Sequence, residues 1–243
     1  MKIANAVALV TGANRGIGRS LVEALIERGA RRIYATGRDA AGLASVAALD
    51  RRRVQTLRLD ITKPEQVRAA AEQAPDTTLL INNAAIGNFG KLGDMPADQV
   101  RSAMETNYFG TLGVINAFTP ALEANGGGAI VNIITIVALA SVPDLGAYTA
   151  SKAALWSLTQ SYRADLAKRG ISVHGVYPGP VDTDMSRALE NVPKASPAVV
   201  AANVLQGVEA GDEDIFPDVM ARNMYAAWRQ DHKAVERQFA SMF

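Results

Sequence analysis

A phenol and an ammonium stand four residues apart in Tyr148-Thr149-Ala150-Ser151-Lys152. On a helix, positions i and i+4 share a face, so both groups would project into one space. A cation beside a tyrosine makes the phenolic proton easier to lose, which is equipment for general acid–base work. The pair alone is weak evidence, because both residue types are common on solvated helix faces. It gains weight from a glycine-rich loop far upstream.

That loop, Gly12-Ala13-Asn14-Arg15-Gly16-Ile17-Gly18, follows the apolar run Val7–Thr11 and opens an amphipathic stretch. Glycines at a strand–helix junction permit a tight turn and let backbone N–H groups approach a pyrophosphate at the helix N-terminus. The spacing is G-x-x-x-G-x-G rather than G-x-G-x-x-G, and a plain tight turn is the rival reading. The second strand ends Ala35-Thr36-Gly37-Arg38-Asp39, which bears on the cofactor. An acid at this point suits the ribose hydroxyls of NAD, whereas arginine suits the 2′-phosphate of NADP. Arg38, with Arg15 as a second cation, favours NADP(H). Asp39 carries the competing reading, in which a slipped register turns its carboxylate to the ribose. Asp60 closes the third strand, where it would either hold the adenine amino group or cap the next helix.

Elements that must position these groups follow from hydrophobic period. Strands are expected at 7–11, 32–36, 54–59, 79–82, 130–135, 172–177 and 214–216. Helices are expected at 18–28, 40–49, 64–73, 97–123, 146–169 and 197–210. Val/Ile/Leu-rich strands with little polar alternation imply a sheet covered on both faces. Their alternation with helices implies right-handed parallel crossovers. The expected fold is therefore α/β, one Rossmann-type doubly wound parallel sheet of about seven strands with helices on both faces. No Pro- or Ser-rich linker interrupts it, so residues 1–243 are read as one dinucleotide-binding domain. The aromatic C-terminal stretch, with Phe216, Tyr225, Trp228, Phe239 and Phe243, is read as an amphipathic cover or a subunit contact.

Composition narrows the classes further. Of 243 residues, 49% are hydrophobic and 20% charged, which is ordinary for a globular protein. A formal charge of +1 gives no field to favour nucleic acid or an anionic membrane. The absence of cysteine excludes disulfides and thiolate chemistry, and His174 and His232 lack ligand spacing, so no metal site is expected. The longest apolar tract, 129–142, is too short to span a bilayer and contains Asn132 and Thr135. The expectation is a soluble, cytoplasmic protein.

In order along the chain stand Thr11-Gly12-x-x-x-Gly16-x-Gly18, Asp60, Asn82-Asn83-Ala84-Ala85, Asn107, Tyr148-x-x-x-Lys152 and Pro178-Gly179-Pro180-Val181-Asp182-Thr183. Each piece is modestly specific and the ordered set highly so. It resembles the short-chain dehydrogenase/reductase family in its classical form. Two departures are visible: Ala85 replaces the usual glycine, and Thr135 replaces the usual serine thirteen positions before the tyrosine. Threonine keeps the hydroxyl but adds a methyl and a restricted χ1.

The resemblance implies an NADP(H)-dependent carbonyl reductase or alcohol dehydrogenase. Tyr148 would be the general acid–base, Thr135 would bind the carbonyl oxygen, Lys152 would hold ribose hydroxyls and lower the tyrosine pKa, and Asn107 would position a water. The glycine loop with Asn14, Arg15 and Ile17, then Arg38, Asp60, Asn83 and Ala84, would hold the dinucleotide. Pro178, Gly179, Val181 and Thr183 would close over the nicotinamide. Ile86, Val137, Leu145, Met185 and Leu189 would wall a site for a small-molecule apolar ketone, aldehyde or alcohol, with little lid. A homotetramer or homodimer is expected. The alternatives are an NAD-linked alcohol dehydrogenase and a non-catalytic NADP(H)-binding regulator.

Overall fold

The structure is a computed structural model and describes residues 1–241. Seven strands form one all-parallel sheet: β1 (Val7–Val10), β2 (Arg32–Gly37), β3 (Val54–Arg58), β4 (Leu79–Asn82), β5 (Gly128–Ile133), β6 (Ile171–Val176) and β7 (Asp214–Ile215). Their order is β3-β2-β1-β4-β5-β6-β7. The winding reverses between β1 and β4, where Val10 pairs with Ile81 and Ala35 flanks it on the other side. In such sheets the crevice beyond the strand C-termini at this switch is the natural ligand site.

Alternate residues of each strand enter opposite cores. Ala8, Val10, Ile33, Ile81 and Val131 join one cluster, which also takes Leu21 and Leu25 of α1 (Gly16–Glu27). Val46 of α2 (Ala40–Ala47) joins the same cluster. Val7, Leu9, Tyr34, Leu80 and Ile130 join the other, with Val67 and Ala70 of α3 (Pro64–Gln73). This is the doubly wound α/β architecture the apolar runs imply: the central strands β1, β4 and β5 are buried on both sides and show no polar alternation, whereas the edge strand β3 exposes Gln55 and Arg58.

Two of the departures from the expected boundaries bear on the cleft. The helix expected at 97–123 is α4 (Ala97–Met104), a π-helical turn (Glu105–Gly110) and α5 (Thr111–Ala124) in succession. The π turn surrounds Asn107, whose side chain is held by Ile86 on another segment. The fifth strand starts and ends two residues early, so Thr135 lies beyond it and caps a short 3-10 turn, Ile136–Ala138.

The remaining helices are α6 (Gly146–Leu166), α7 (Pro197–Ala210), α8 (Val219–Gln230) and α9 (His232–Ala240). α7 packs on α1 in the first core. α8 and α9 form a cover of their own: Val235 and Phe239 pack with Val142 and Leu145, and with Val137, Met224 and Trp228. Phe243 lies outside the described residues. Among the described residues no helix is long and apolar enough to cross a membrane, and no cluster of His, Asp or Glu could hold a metal ion.

Candidate active site

A cleft of about 610 Å³ opens along the C-terminal ends of the strands. It brings together Gly12, Asn14, Arg15, Gly16, Ile17, Arg38, Asp60, Asn83, Ala84, Thr135, Tyr148, Lys152, Pro178, Gly179, Val181 and Thr183. Of the residues singled out in the sequence, Gly18 and Asn107 stand behind its wall.

The glycine loop is shaped by close approach. Gly12 has φ +65, and a Cβ there would stand 2.9 Å from Ala84 Cα. A Cβ on Gly18 would collide with the Gly12 carbonyl and come within 2.6 Å of Asn83 Nδ2. Asn83 and Thr11 lock this turn to the end of β4. Asn83 Nδ2 donates to the Thr11 and Gly12 carbonyls at 2.9 and 3.1 Å, and Thr11 Oγ1 accepts from the Asn83 and Ala84 N–H groups. No side chain caps the N-terminus of α1, which leaves its first amides and positive dipole end to an anion. That cradle fits a dinucleotide pyrophosphate.

Three acids in the cleft have settled partners. Asp39 is the N-cap of α2: its two carboxylate oxygens accept from Ala41 N and Gly42 N, both at 3.1 Å. The register that would turn Asp39 to a ribose is therefore not the one adopted. Asp60 Oδ1 accepts from the backbone and hydroxyl of Thr62. Burial pushes its pKa up, but the Thr62 bonds and the charges of Arg38 and Lys63 outweigh that and hold it below the usual range. Asp60 does not cap α3, whose N-cap is Lys63. Asp184 pairs with Arg15 at 2.8 Å across the cleft mouth and with Arg187 at 2.6 Å. Arg38 is exposed and forms no ion pair among the described residues.

Tyr148 and Lys152 occupy successive turns of α6 and point the same way, with Lys152 Nζ 5.8 Å from the tyrosine ring centre. Lys152 is 2% exposed, and its Nζ donates to the Ile133 carbonyl at 2.7 Å. Burial lowers its pKa from 10.5 to about 7. Tyr148 is half-buried in the cleft wall, and desolvation pushes its phenol up to about 12, an effect that the neighbouring Thr135 hydroxyl opposes. The expectation that Lys152 lowers the phenol pKa is not what the protein's own groups do. Burial disfavours the charged form of both groups, and desolvation of the phenolate dominates. A phenol held protonated is the form that can give a proton.

The Thr135 hydroxyl donates to the Pro178 carbonyl at 3.2 Å and receives Val137 N at 3.4 Å. The end of β5 is thereby tied to the Pro178-Gly179 turn. Asn107 Nδ2 donates to Ile86 O and to Ser151 Oγ, both at 2.9 Å, and Asn107 Oδ1 accepts from Ile86 N. Ser151 in turn donates to the Tyr148 carbonyl. Asn107 thus braces the tyrosine's turn of α6 from behind the wall. Thr183 N donates to Ser186 Oγ in a capping box over the turn Asp184–Ser186.

Asp218 escaped sequence reasoning. It is 5% exposed; one oxygen caps α8 through Ala221 N and the other receives Gly179 N at 2.8 Å. An acid before an amphipathic run signals the cap. Nothing local signals the second bond, to a residue 39 positions away.

Comparison with known proteins agrees with this geometry. The short chain dehydrogenase family model matches residues 6–193. A 3-oxoacyl-(acyl-carrier-protein) reductase of Salmonella typhimurium is 31% identical over 219 residues, covering 88% of each chain. A short chain dehydrogenase of Burkholderia cenocepacia, solved in complex with NADP, superposes with TM-score 0.92 at 41% identity, over 98% of this chain and 99% of that one. One from Burkholderia phymatum, in complex with NAD, gives TM-score 0.87 at 25% identity, over 98% and 96%. With the glycine cradle, the parallel sheet and the ordered motifs, these matches show that the chain belongs to the short-chain dehydrogenase/reductase family of oxidoreductases.

Proposed function

We propose that the protein is an NADP(H)-dependent carbonyl reductase, working reversibly as an alcohol dehydrogenase on an apolar ketone or aldehyde. The observation that carries this is the meeting of Tyr148, Thr135 and Lys152 in the cleft that begins at the glycine cradle. The nicotinamide cofactor, when bound, supplies or accepts the hydride. Tyr148 gives its proton to the carbonyl oxygen as negative charge develops there. Thr135 donates to the same oxygen, exchanging its bond to Pro178 for one to the substrate. Lys152 holds the ribose hydroxyls and, charged, favours the phenolate left behind.

NADP(H) is favoured by two features: Asp39 is committed to its helix cap, and Arg38, without an ion pair among the described residues, lines the same cleft as Arg15. A soluble cytoplasmic dimer or tetramer belongs to the same reading, and light scattering tests the count. The decisive experiment is Tyr148→Phe, with NADPH binding and ketone reduction measured separately. Binding is expected to persist while turnover falls by about 10²–10⁴-fold. Turnover at the parent rate would remove Tyr148 from the acid role.

A further inference from the structure

The cleft is divided by chemistry. Arg15, Arg38, Asp39 and Asp60 gather at its cofactor end, and Lys152 is buried on the Ile133 carbonyl. The other end, beyond Tyr148, is lined by Ile86, Val137, Leu145 and Leu189 and leads outward to Phe89 and Met185.

Those last two are among the few large apolar side chains left exposed, at 43% and 41%. They converge over Gly87: a Cβ there would stand 3.2 Å from Met185 Cγ and 3.6 Å from Phe89 Cε2. Leu92, 53% exposed, extends the same loop and presses on Gly146, two residues before the tyrosine. Neither side of this lip hangs free. Gly90 N donates to the Asp144 carbonyl at 2.8 Å, which fastens the Phe89 loop to the segment entering α6. Met185 rides on a turn held by Ser186 Oγ to Val181 O at 2.5 Å and by the Arg15–Asp184 pair. An exposed apolar surface built on braced segments, and continuous with a reaction cleft, is a binding surface rather than incidental exposure.

We propose that the substrate is a ketone whose apolar body outruns the enclosed cleft, an extended alkyl chain or fused ring system. Its far end lies across Phe89 and Met185. The inference rests on the reductase reading and specifies its substrate class, with Met185 and Phe89 as specificity-determining residues.

The test is a homologous series of 2-alkanones, from 2-butanone to 2-dodecanone, reduced with NADPH by the parent, Met185→Ser, Phe89→Ser and Met185→Leu. A fully buried methylene is worth up to about 4-fold in kcat/KM, and a half-exposed lip about 2-fold. The parent kcat/KM is expected to climb by about that factor per methylene through the long members. The ratio of kcat/KM for 2-decanone to that for 2-butanone falls about 10-fold in each serine variant and returns in Met185→Leu. A parent ratio near one, or a ratio untouched by the serine variants, overturns the inference. So does a serine variant whose only change is its sedimentation coefficient, because the lip would then be covered by a second copy. If Tyr148 turns over no ketone of any length, the reductase reading itself falls; a flat series with good turnover removes only the extended substrate.

Discussion

Replacing Lys152 with methionine should make the protein more stable while destroying its proposed activity. The amine is 2% exposed and its pKa falls from 10.5 to about 7 through burial. At about 1.36 kcal/mol per pH unit, that fall corresponds to a cost of about 5 kcal/mol for keeping a charged amine there. Methionine fills similar volume without the charge but leaves the Ile133 carbonyl without its donor, which costs about 1–3 kcal/mol. The net expectation is a gain of about 2–4 kcal/mol at pH 7 and below.

The sign of the pH dependence makes this specific to the buried amine. Between pH 7 and 10.5 the unfolded chain keeps a proton on Lys152 that the folded chain has shed. Unfolding then takes up a proton, and parent stability rises with pH. Below pH 7 both states hold the proton and the cost is constant. The methionine variant lacks this term, so its advantage should shrink by about 2 kcal/mol from pH 7 to 9. Urea unfolding of both proteins at pH 6, 7, 8 and 9 measures the gap. A variant less stable than the parent at pH 6, or a gap that does not change with pH, would refute the reasoning.

Other expectations follow from single contacts. Gly18→Ala drives a methyl into the Gly12 carbonyl and toward Asn83 Nδ2, neither of which has room to retreat; dinucleotide binding by calorimetry should be lost and stability reduced by several kcal/mol. Asp218→Ala strips a charged acceptor from Gly179 N and Ala221 N, and should cost about 2–4 kcal/mol in urea while raising KM for the cofactor more than for the ketone. Arg38→Ala should lower the NADPH/NADH ratio of kcat/KM by about 10-fold; an unchanged ratio would count against its contact with the 2′-phosphate.

The sheet was legible because strands buried on both faces leave long apolar runs, and Val7, Leu80 and Ile130 need no partner's identity to be read as core. The Tyr148–Lys152 pair was legible for a similar reason, since helical spacing alone puts both on one side. What escaped depends on distant neighbours. The π turn at Glu105–Gly110 carries no local mark; its Asn107 is anchored by Ile86, 21 residues away. The fate of Asp39 turned on whether α2 needed a cap, which a strand-end reading could not decide. The burial of Lys152 was not legible, because proximity to the phenol shows in the spacing while the closing of Ile133 and the rest of the wall over the amine does not.

The α8–α9 hairpin supports the cleft from outside the sheet. Its Val235, Phe239 and Trp228 back the Val137 and Leu145 wall, and the Trp228 indole N–H donates to the Leu139 carbonyl at 3.1 Å. Yet it lies past residue 193, where the family match stops. The glycine cradle and the Tyr148–Lys152 pair thus lie on one stretch of chain, and the apolar wall beside them is supported by another. Under the proposed function, a change in this peripheral buttress would reshape the far wall of the cleft without touching the groups that meet the cofactor.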